Sequence, residues 1–307
     1  MRILVTGATG VIGRRVVPML VGAGHHVTAV VRSPEKRAAL AHSGASPIPL
    51  DLFDPPHVRR AVGQHEAVVN LATHMPSSSW RILLPWAWRE NDRVRRDGSR
   101  ILVDAAIAER VGRFIQESYG PAYEPRGEEW IDETVPLAPV KYNATILDAE
   151  RSAERFTRSG GTGIVLRFAN FYGPDAFTLR DMVRTVRRGY VPLPGTPASY
   201  VSSIAHDDAA TAVVAALGVS AGVYNVCDDE PVRRSELAAI LARCVGAQPP
   251  RALPSWMTML MGSTVELLGR SQRMSNQKLR DAAPGWVPEY PSVREGMPVA
   301  VSGLSPS

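Results

Sequence analysis

A strand and a helix joined by three spaced glycines constrain this chain more than any other feature of it. Arg2–Thr6 is an apolar run of strand length that passes directly into Thr6-Gly7-Ala8-Thr9-Gly10-Val11-Ile12-Gly13 and an amphipathic helix over 11–23. Glycine lets a backbone approach a ligand closely, and the first turn of a helix offers free N–H groups and a partial positive charge. A strand, this loop and a helix in that order suit a pyrophosphate, so Gly7, Thr9, Gly10, Val11, Ile12 and Gly13 are expected to hold a dinucleotide. A tight turn with no ligand is the plainer alternative.

The end of the second strand, some twenty residues on, selects the dinucleotide: a carboxylate meets a ribose 2′-hydroxyl, an arginine a 2′-phosphate. The chain reads Val30-Val31-Arg32-Ser33-Pro34 there, with Lys36 and Arg37 following. Arg32 can fork onto a phosphate and Ser33 can add a hydroxyl donor, which favours NADP(H) over NAD(H). The bland alternative is a solvated arginine in an arginine-rich chain.

Strands expected at Arg2–Thr6, Val27–Val31, Pro47–Leu50, Ala67–Leu71, Arg113–Glu117 and Gly163–Phe168 alternate with helices near 11–23, 35–43, 55–63, 90–110 and 143–159. Nearly continuous apolar strands alternating with helices predict an α/β, Rossmann-type doubly wound parallel sheet. Beyond Phe171 the alternation loosens, with helices expected at 178–188, 206–217, 233–245 and 255–269 and short strands near 199–204 and 222–226. The division expected is a dinucleotide-binding core over 1–170, a smaller substrate lobe over 171–300 interleaved with it, and a flexible tail over 301–307.

With 307 residues the chain has room for both, and composition excludes little beyond that. Cys227 and Cys244 are the only cysteines, so no disulfide framework or cysteine-rich metal site is expected. The net charge of +5 is spread along the chain, and all but three of the 35 basic residues are arginine. That skew resembles a GC-rich genome more than a nucleic-acid surface, and no recognition module accompanies it. Trp256–Leu268 is too short to span a bilayer and contains Glu266, and no signal peptide is seen, so a cytoplasmic protein without membrane contact is expected.

Several further stretches, in order, resemble the extended short-chain dehydrogenase/reductase family of NAD(P)-dependent epimerases and dehydratases. The glycine spacing is of that group's type. Asp51-Leu52 is similar to its adenine-contacting acid, and Asn70-Leu71-Ala72-Thr73 to its element beside the cofactor. Arg167-Phe168-Ala169-Asn170-Phe171-Tyr172-Gly173-Pro174 resembles the stretch that opens its substrate lobe. His206-Asp207-Asp208-Ala209-Ala210 and Gly222-Val223-Tyr224-Asn225-Val226 match two later landmarks. The resemblance implies cofactor contacts at Asp51, Leu52, Leu71, Ala72 and Thr73, a substrate contact at Asn170, and homodimers paired through the helices of 90–110 and 143–159.

The catalytic segment departs from that family's pattern. There a Ser or Thr follows the fifth strand, and a Tyr-x-x-x-Lys pair lies on the next helix, where the ammonium lowers the phenol's pKa. Here Tyr142 and Glu150 fall in place but Ile146 stands at the lysine position. Of the three lysines, Lys36, Lys141 and Lys278, only Lys141 is near, and it points about 100° away round a helix. In one register Ser118 is the first of the family's two serines and Tyr119 replaces the second; a shift of one makes Ser118 the donor. Glu117, at a strand end, would suit acid/base work if buried, or would equally cap a local hydrogen-bond network. Tyr119 is a phenol donor or simple packing, and His74 a substrate contact or an exposed loop residue. No spacing suggests a metal.

The loop from His74 to Trp88 carries three tryptophans. With Trp256, Met257, Met259 and Met261 it suggests an apolar substrate wall, or else core or dimer contacts. Arg180, Arg184, Arg187 and Arg188 give one helix a basic face, with solvation the default reading. The leading expectation is an NADP(H)-dependent oxidoreductase or epimerase-like enzyme acting on a small molecule, with Tyr142 supplying a proton. A non-redox lyase or cyclase in the same cleft, or an NADP-binding sensor without turnover, are the alternatives.

Overall fold

Successive side chains of a strand point to opposite faces, so a strand that is apolar at every position needs a core on each side of it. In the computed structural model, which describes residues 1–76, 78–82, 84–251 and 267–304, β1 (Arg2–Thr6) sends Ile3 and Val5 into one core and Leu4 into another. All three are fully buried, each contributing about 1.5–3 kcal/mol. The sheet is accordingly covered on both faces. On one side lie α1 (Gly13–Gly22) and α9 (His206–Ala215); on the other lie α3 (Pro55–Val62), α6 (Ser99–Ala108) and α7 (Ile146–Arg158).

The sheet has seven strands, all parallel. In spatial order they are β10 (Gly222–Val226), β6 (Thr162–Phe168), β5 (Arg113–Tyr119), β4 (Ala67–Asn70), β1, β2 (His26–Val30) and β3 (Ser46–Ile48). The order reverses beside β1, and ligands of such sheets sit at the carboxyl ends of the strands there. The strand near 222–226 is the sheet's seventh, with Tyr224 opposite Leu166. Its residues Tyr224 and Val226 are buried in the main core, which binds the second half of the sequence into the sheet.

The helix expected over 90–110 is divided. Its parts are α5 (Arg89–Arg93), a π-helical turn at Val94–Gly98, and α6. Within that wider turn lies Arg95, buried against Glu117. Such turns recur where a side chain must be turned inward. The strand expected near 199–204 also divides, at Ser202, into β8 (Tyr200–Val201) and β9 (Ser203–Ala205). Buried Ser202 accepts from the Met274 N–H and donates to the Gln272 carbonyl, and this bridge interrupts the ladder. β9 pairs with β7 (Asn170–Tyr172), and β8 pairs antiparallel with β11 (Val232–Arg233). A third apolar cluster joins α8 (Phe177–Arg187), α10 (Arg234–Cys244) and, after α11 (Gln277–Ala282), the closing helix α12 (Val293–Ser302). The segment around Trp256, Met257, Met259 and Met261 lies outside the described residues.

Candidate functional site

The glycine loop is closed by the backbone itself. Gly7 has φ +67°, and a Cβ there would lie 2.3 Å from the Leu71 carbonyl oxygen at the end of β4; one on Gly13 would lie 2.2 Å from the Gly7 oxygen. Gly10 donates its N–H to Gly7 over 2.9 Å and is exposed, as is Val11. No side chain caps α1, so its first turn faces outward with donors to offer. Beneath the loop, Thr6 donates to Asn70 at 2.6 Å, and Asn70 donates to Gln116 at 2.8 Å and Ser99 at 3.2 Å. The Ala72 N–H donates to the same Asn70 oxygen. This cradle fits a pyrophosphate.

Arg32, Ser33, Asp51, Leu52, Leu71, Ala72 and Thr73 all fall at this same edge, because each follows the end of a parallel strand. Arg32 is exposed and makes no ion pair among the described residues. The Ser33 hydroxyl donates to Glu35 at 2.5 Å, so its expected donor is already engaged. Asp51 is exposed and accepts from the Phe53 N–H, a local turn that fixes the carboxylate. Leu71 is buried and Thr73 exposed.

At the end of β5, Ser118 and Tyr119 part company as strand parity requires. Buried Ser118 donates to Glu150 at 2.6 Å, and Glu150 is held by Arg167 through contacts of 2.7 and 2.9 Å. Arg167 also donates to Tyr123, which donates to Asn225. The Ser118 hydroxyl is thereby committed to a network inside the protein. Glu117 is buried too, in a two-pronged ion pair with Arg95 at 2.8 Å.

Tyr142 sits just before α7, its ring 4.8 Å from that of buried Trp88. Burial pushes its phenol far above the ordinary tyrosine range, and nearby Tyr119 adds to the effect; Arg270 and Arg95 only partly offset it. Ile146, expected from the sequence at the lysine position, is fully buried in α7, and Lys141 is exposed. Tyr142 is therefore held as a neutral phenol. Tyr119 is likewise pushed up, to about 12, by burial. Its hydroxyl lies 3.3 Å from Asn170, whose amide donates to the Ser202 carbonyl. Tyr119 and Asn170 line a cleft with Tyr200, Arg234, Leu267, Arg270 and Gln272. His74 is exposed on the opposite loop, its backbone N–H bonded to Asn91. Trp86 is exposed as well, so of the loop's tryptophans it is Trp88 that packs on the site; the Trp80 side chain lies outside the described residues. Arg180, Arg184, Arg187 and Arg188 form a solvated face. Among the described residues no group of side chains suits a metal, and no helix is long and apolar enough to cross a membrane.

A family profile described as NAD(P)H-binding matches residues 7–218. The chain belongs to that family. It is 35% identical to a 3-diazoavenalumate denitrifying reductase from a Streptomyces species, over 97% of this chain and 99% of that one. Among solved structures it resembles Thermus thermophilus UDP-glucose 4-epimerase in complex with NAD, with TM-score 0.75 and 24% identity over 99% of this chain and 98% of that one. It also resembles a human epimerase family protein with NADPH, with TM-score 0.76 and 20% identity over 99% and 100%. The NAD(P)H-binding fold is thus of the short-chain dehydrogenase/reductase type, with epimerases and dehydratases as structural neighbours.

Several residues of this family member's site escape a reading of the sequence. Arg95 reaches Glu117 only because of the π-helical turn, which no periodicity foretells. Arg234 comes to the cleft from the first turn of α10, far along the chain. Asn143 is buried with neither amide atom bonded among the described residues; its position beside Tyr142 was the available signal.

Proposed function

We propose that this chain is an NADPH-dependent reductase that delivers hydride to a small electrophile whose reduction takes no proton from the protein. The observation that carries the reading is Ile146, fully buried where a lysine would make Tyr142 a usable acid. A carbonyl reduced to an alcohol needs such an acid; an electrophile that expels its leaving group does not. Bound in the cradle, NADPH supplies a hydride that, delivered to the carbon of an arenediazonium, forms C–H as C–N breaks and N2 leaves with the bonding pair. The denitrifying reductase relative points to the same class of acceptor. Tyr142, Trp88 and Tyr119 then form a wall that orients the acceptor and excludes water. Asn170, bonded to the Tyr119 hydroxyl, holds its near edge.

The preference for NADPH rests on Arg32, exposed and free of ion pairs among the described residues, with exposed Lys36 and Arg37 beside it. Arg32→Asp is expected to lower the NADPH/NADH affinity ratio about tenfold or more, the worth of one lost charge-assisted fork; an unchanged ratio in calorimetric titration overturns the preference. A homodimer through α5–α6 and α7 belongs to the same reading, and sedimentation checks it. The activity itself is tested by following nicotinamide absorbance with two substrate panels, arenediazonium salts and aryl ketones or aldehydes. Oxidation of NADPH coupled to arene formation with the first panel only is expected. Faster turnover of the carbonyls, or oxidation with neither panel, overturns the reading.

A further inference from the structure

Three arginines of the described residues are more than nine-tenths buried: Arg95, Arg167 and Arg234, at 5, 8 and 9% exposure. The first two are paired with Glu117 and Glu150. Arg234 has no carboxylate partner among the described residues. Its Nη2 donates to the Arg270 carbonyl at 2.9 Å, while Nε and Nη1 are buried without an acceptor. A guanidinium is always charged and offers N–H donors on every nitrogen, so leaving it buried and unanswered is expensive. Such a group calls for a partner from outside the chain, whether water, an ion or a ligand.

The chain builds this position deliberately. Arg233 ends β11 and Arg234 opens α10, and the two side chains go different ways. Arg233 goes outward to Glu128 over contacts of 2.8 Å. Arg234 goes inward to line the cleft with Tyr119 and Asn170. Gly195, at φ +109°, lets the chain pass so close that a Cβ there would lie 2.7 Å from the Arg234 Nε. Nearby Gln272 adds an amide oxygen with no partner among the described residues, while its nitrogen donates to the Tyr123 carbonyl.

We propose that Arg234 receives a carboxylate of the substrate, so that the cleft selects acidic small molecules and turns their reactive end toward Tyr119 and Tyr142. The inference rests on the reductase reading only in taking this cleft as the substrate's. A carboxylate supplies an acceptor, with the charge that a guanidinium prefers, to a donor that Arg234 leaves unanswered. A phosphate monoester shares that chemistry, and the test separates the two.

The experiment is calorimetric titration of the full chain, saturated with oxidised cofactor, using cinnamate, 4-hydroxycinnamate and benzoate. Each is set against its own primary amide and against phenyl phosphate. At least tenfold tighter binding of one carboxylate than of its amide is expected. Arg234→Met should reduce that preference to within about twofold, with cofactor affinity unchanged; Arg234→Lys should keep part of it. Should the methionine variant melt early, the lysine variant and the wild-type preference still decide the matter. Absence of any carboxylate preference, including no binding by any carboxylate, overturns the proposal. So does tighter binding of phenyl phosphate, or a preference that survives in folded Arg234→Met. None of these readings requires turnover, so they fail or hold apart from the reductase activity.

Discussion

The buried polar groups at the strand ends of the sheet answer one another, whereas several in the C-terminal half have no partner among the described residues. Thr6, Asn70, Gln116 and Ser99 form one closed set, Arg95 and Glu117 a second, and Ser118, Glu150, Arg167, Tyr123 and Asn225 a third. In the other half the Tyr172 hydroxyl, His206 Nδ1, Asp228 Oδ1, two nitrogens of Arg234 and the Gln272 oxygen have no partner among the described residues. The exceptions in the first half fall on His65, Ser78, Arg81, Asn91 and Asn143, the last beside Tyr142. A set that closes on itself positions backbone for one invariant ligand. An open set costs stability and is useful where the ligand brings the missing partner.

The sharpest way to break the contrast is through the cradle. Gly7→Val places a side chain where a Cβ already meets the Leu71 carbonyl, at a φ that valine avoids. Loss of about 2–4 kcal/mol of stability is expected, with NADPH affinity down at least a hundredfold. Chemical denaturation and fluorescence titration read the two. A folded variant that binds NADPH normally would mean that the dinucleotide lies elsewhere.

Arg167→Met tests the closed network itself. It leaves Glu150 buried beside Ser118 with its ion pair removed, which costs about 3–5 kcal/mol by comparison with other broken buried pairs. Urea unfolding measures it. A loss below about 1 kcal/mol would show that the network relaxes and that the two halves differ less than their hydrogen bonds suggest.

The open half should show itself in acid. Burial holds the His206 ring at about 3, with Arg15 adding to the effect, and its Nδ1 stops 3.9 Å from Asp175. The unfolded histidine titrates near 6.5. Between those values the unfolded chain binds the extra proton, so stability conferred by neutral His206 is full above about 6.5 and falls as pH drops toward 3, by about 1.4 kcal/mol per unit. Asp208 and Asp228, both pushed up by burial, act in the opposite direction, but they remain in both proteins and cancel in a difference. His206→Gln should therefore have the shallower acid slope in stability measured against pH. Parallel slopes would place a charged histidine in the folded state.

What was legible in the sequence divides along the same line. The glycine loop and the strands of the first half could be read because each depends on local spacing: Gly7 to Gly13, and continuous apolar runs such as Ile3-Leu4-Val5. Arg234 was invisible because its meaning depends on α10 starting against the cleft and on Gly195 closing over it. Glu117 showed that sequence can mark a buried acid without showing its partner, which came from a π-helical turn 22 residues earlier. Ser118 and Tyr119 stayed ambiguous because one residue of register exchanges their faces, and only Glu150 on α7 settles which way Ser118 points.

The smallest expected effect is the one that decides the chemistry. Tyr142→Phe keeps the ring against Trp88 and removes only a hydroxyl that burial already holds neutral. If hydride is accepted without a proton from the protein, turnover of an arenediazonium should change less than about twofold, and its pH profile should not move. A general acid is worth about 10²–10⁴-fold, so the same substitution would be severe were Tyr142 the donor. Ile146→Lys sharpens the comparison by offering Tyr142 the cation it lacks. In that background carbonyl reduction should appear only with Tyr142 present, while diazonium reduction should be indifferent to it. A hundredfold loss in Tyr142→Phe alone would mean that the phenol gives up a proton in spite of its burial, and the closed half of the molecule would then extend to the reacting atoms.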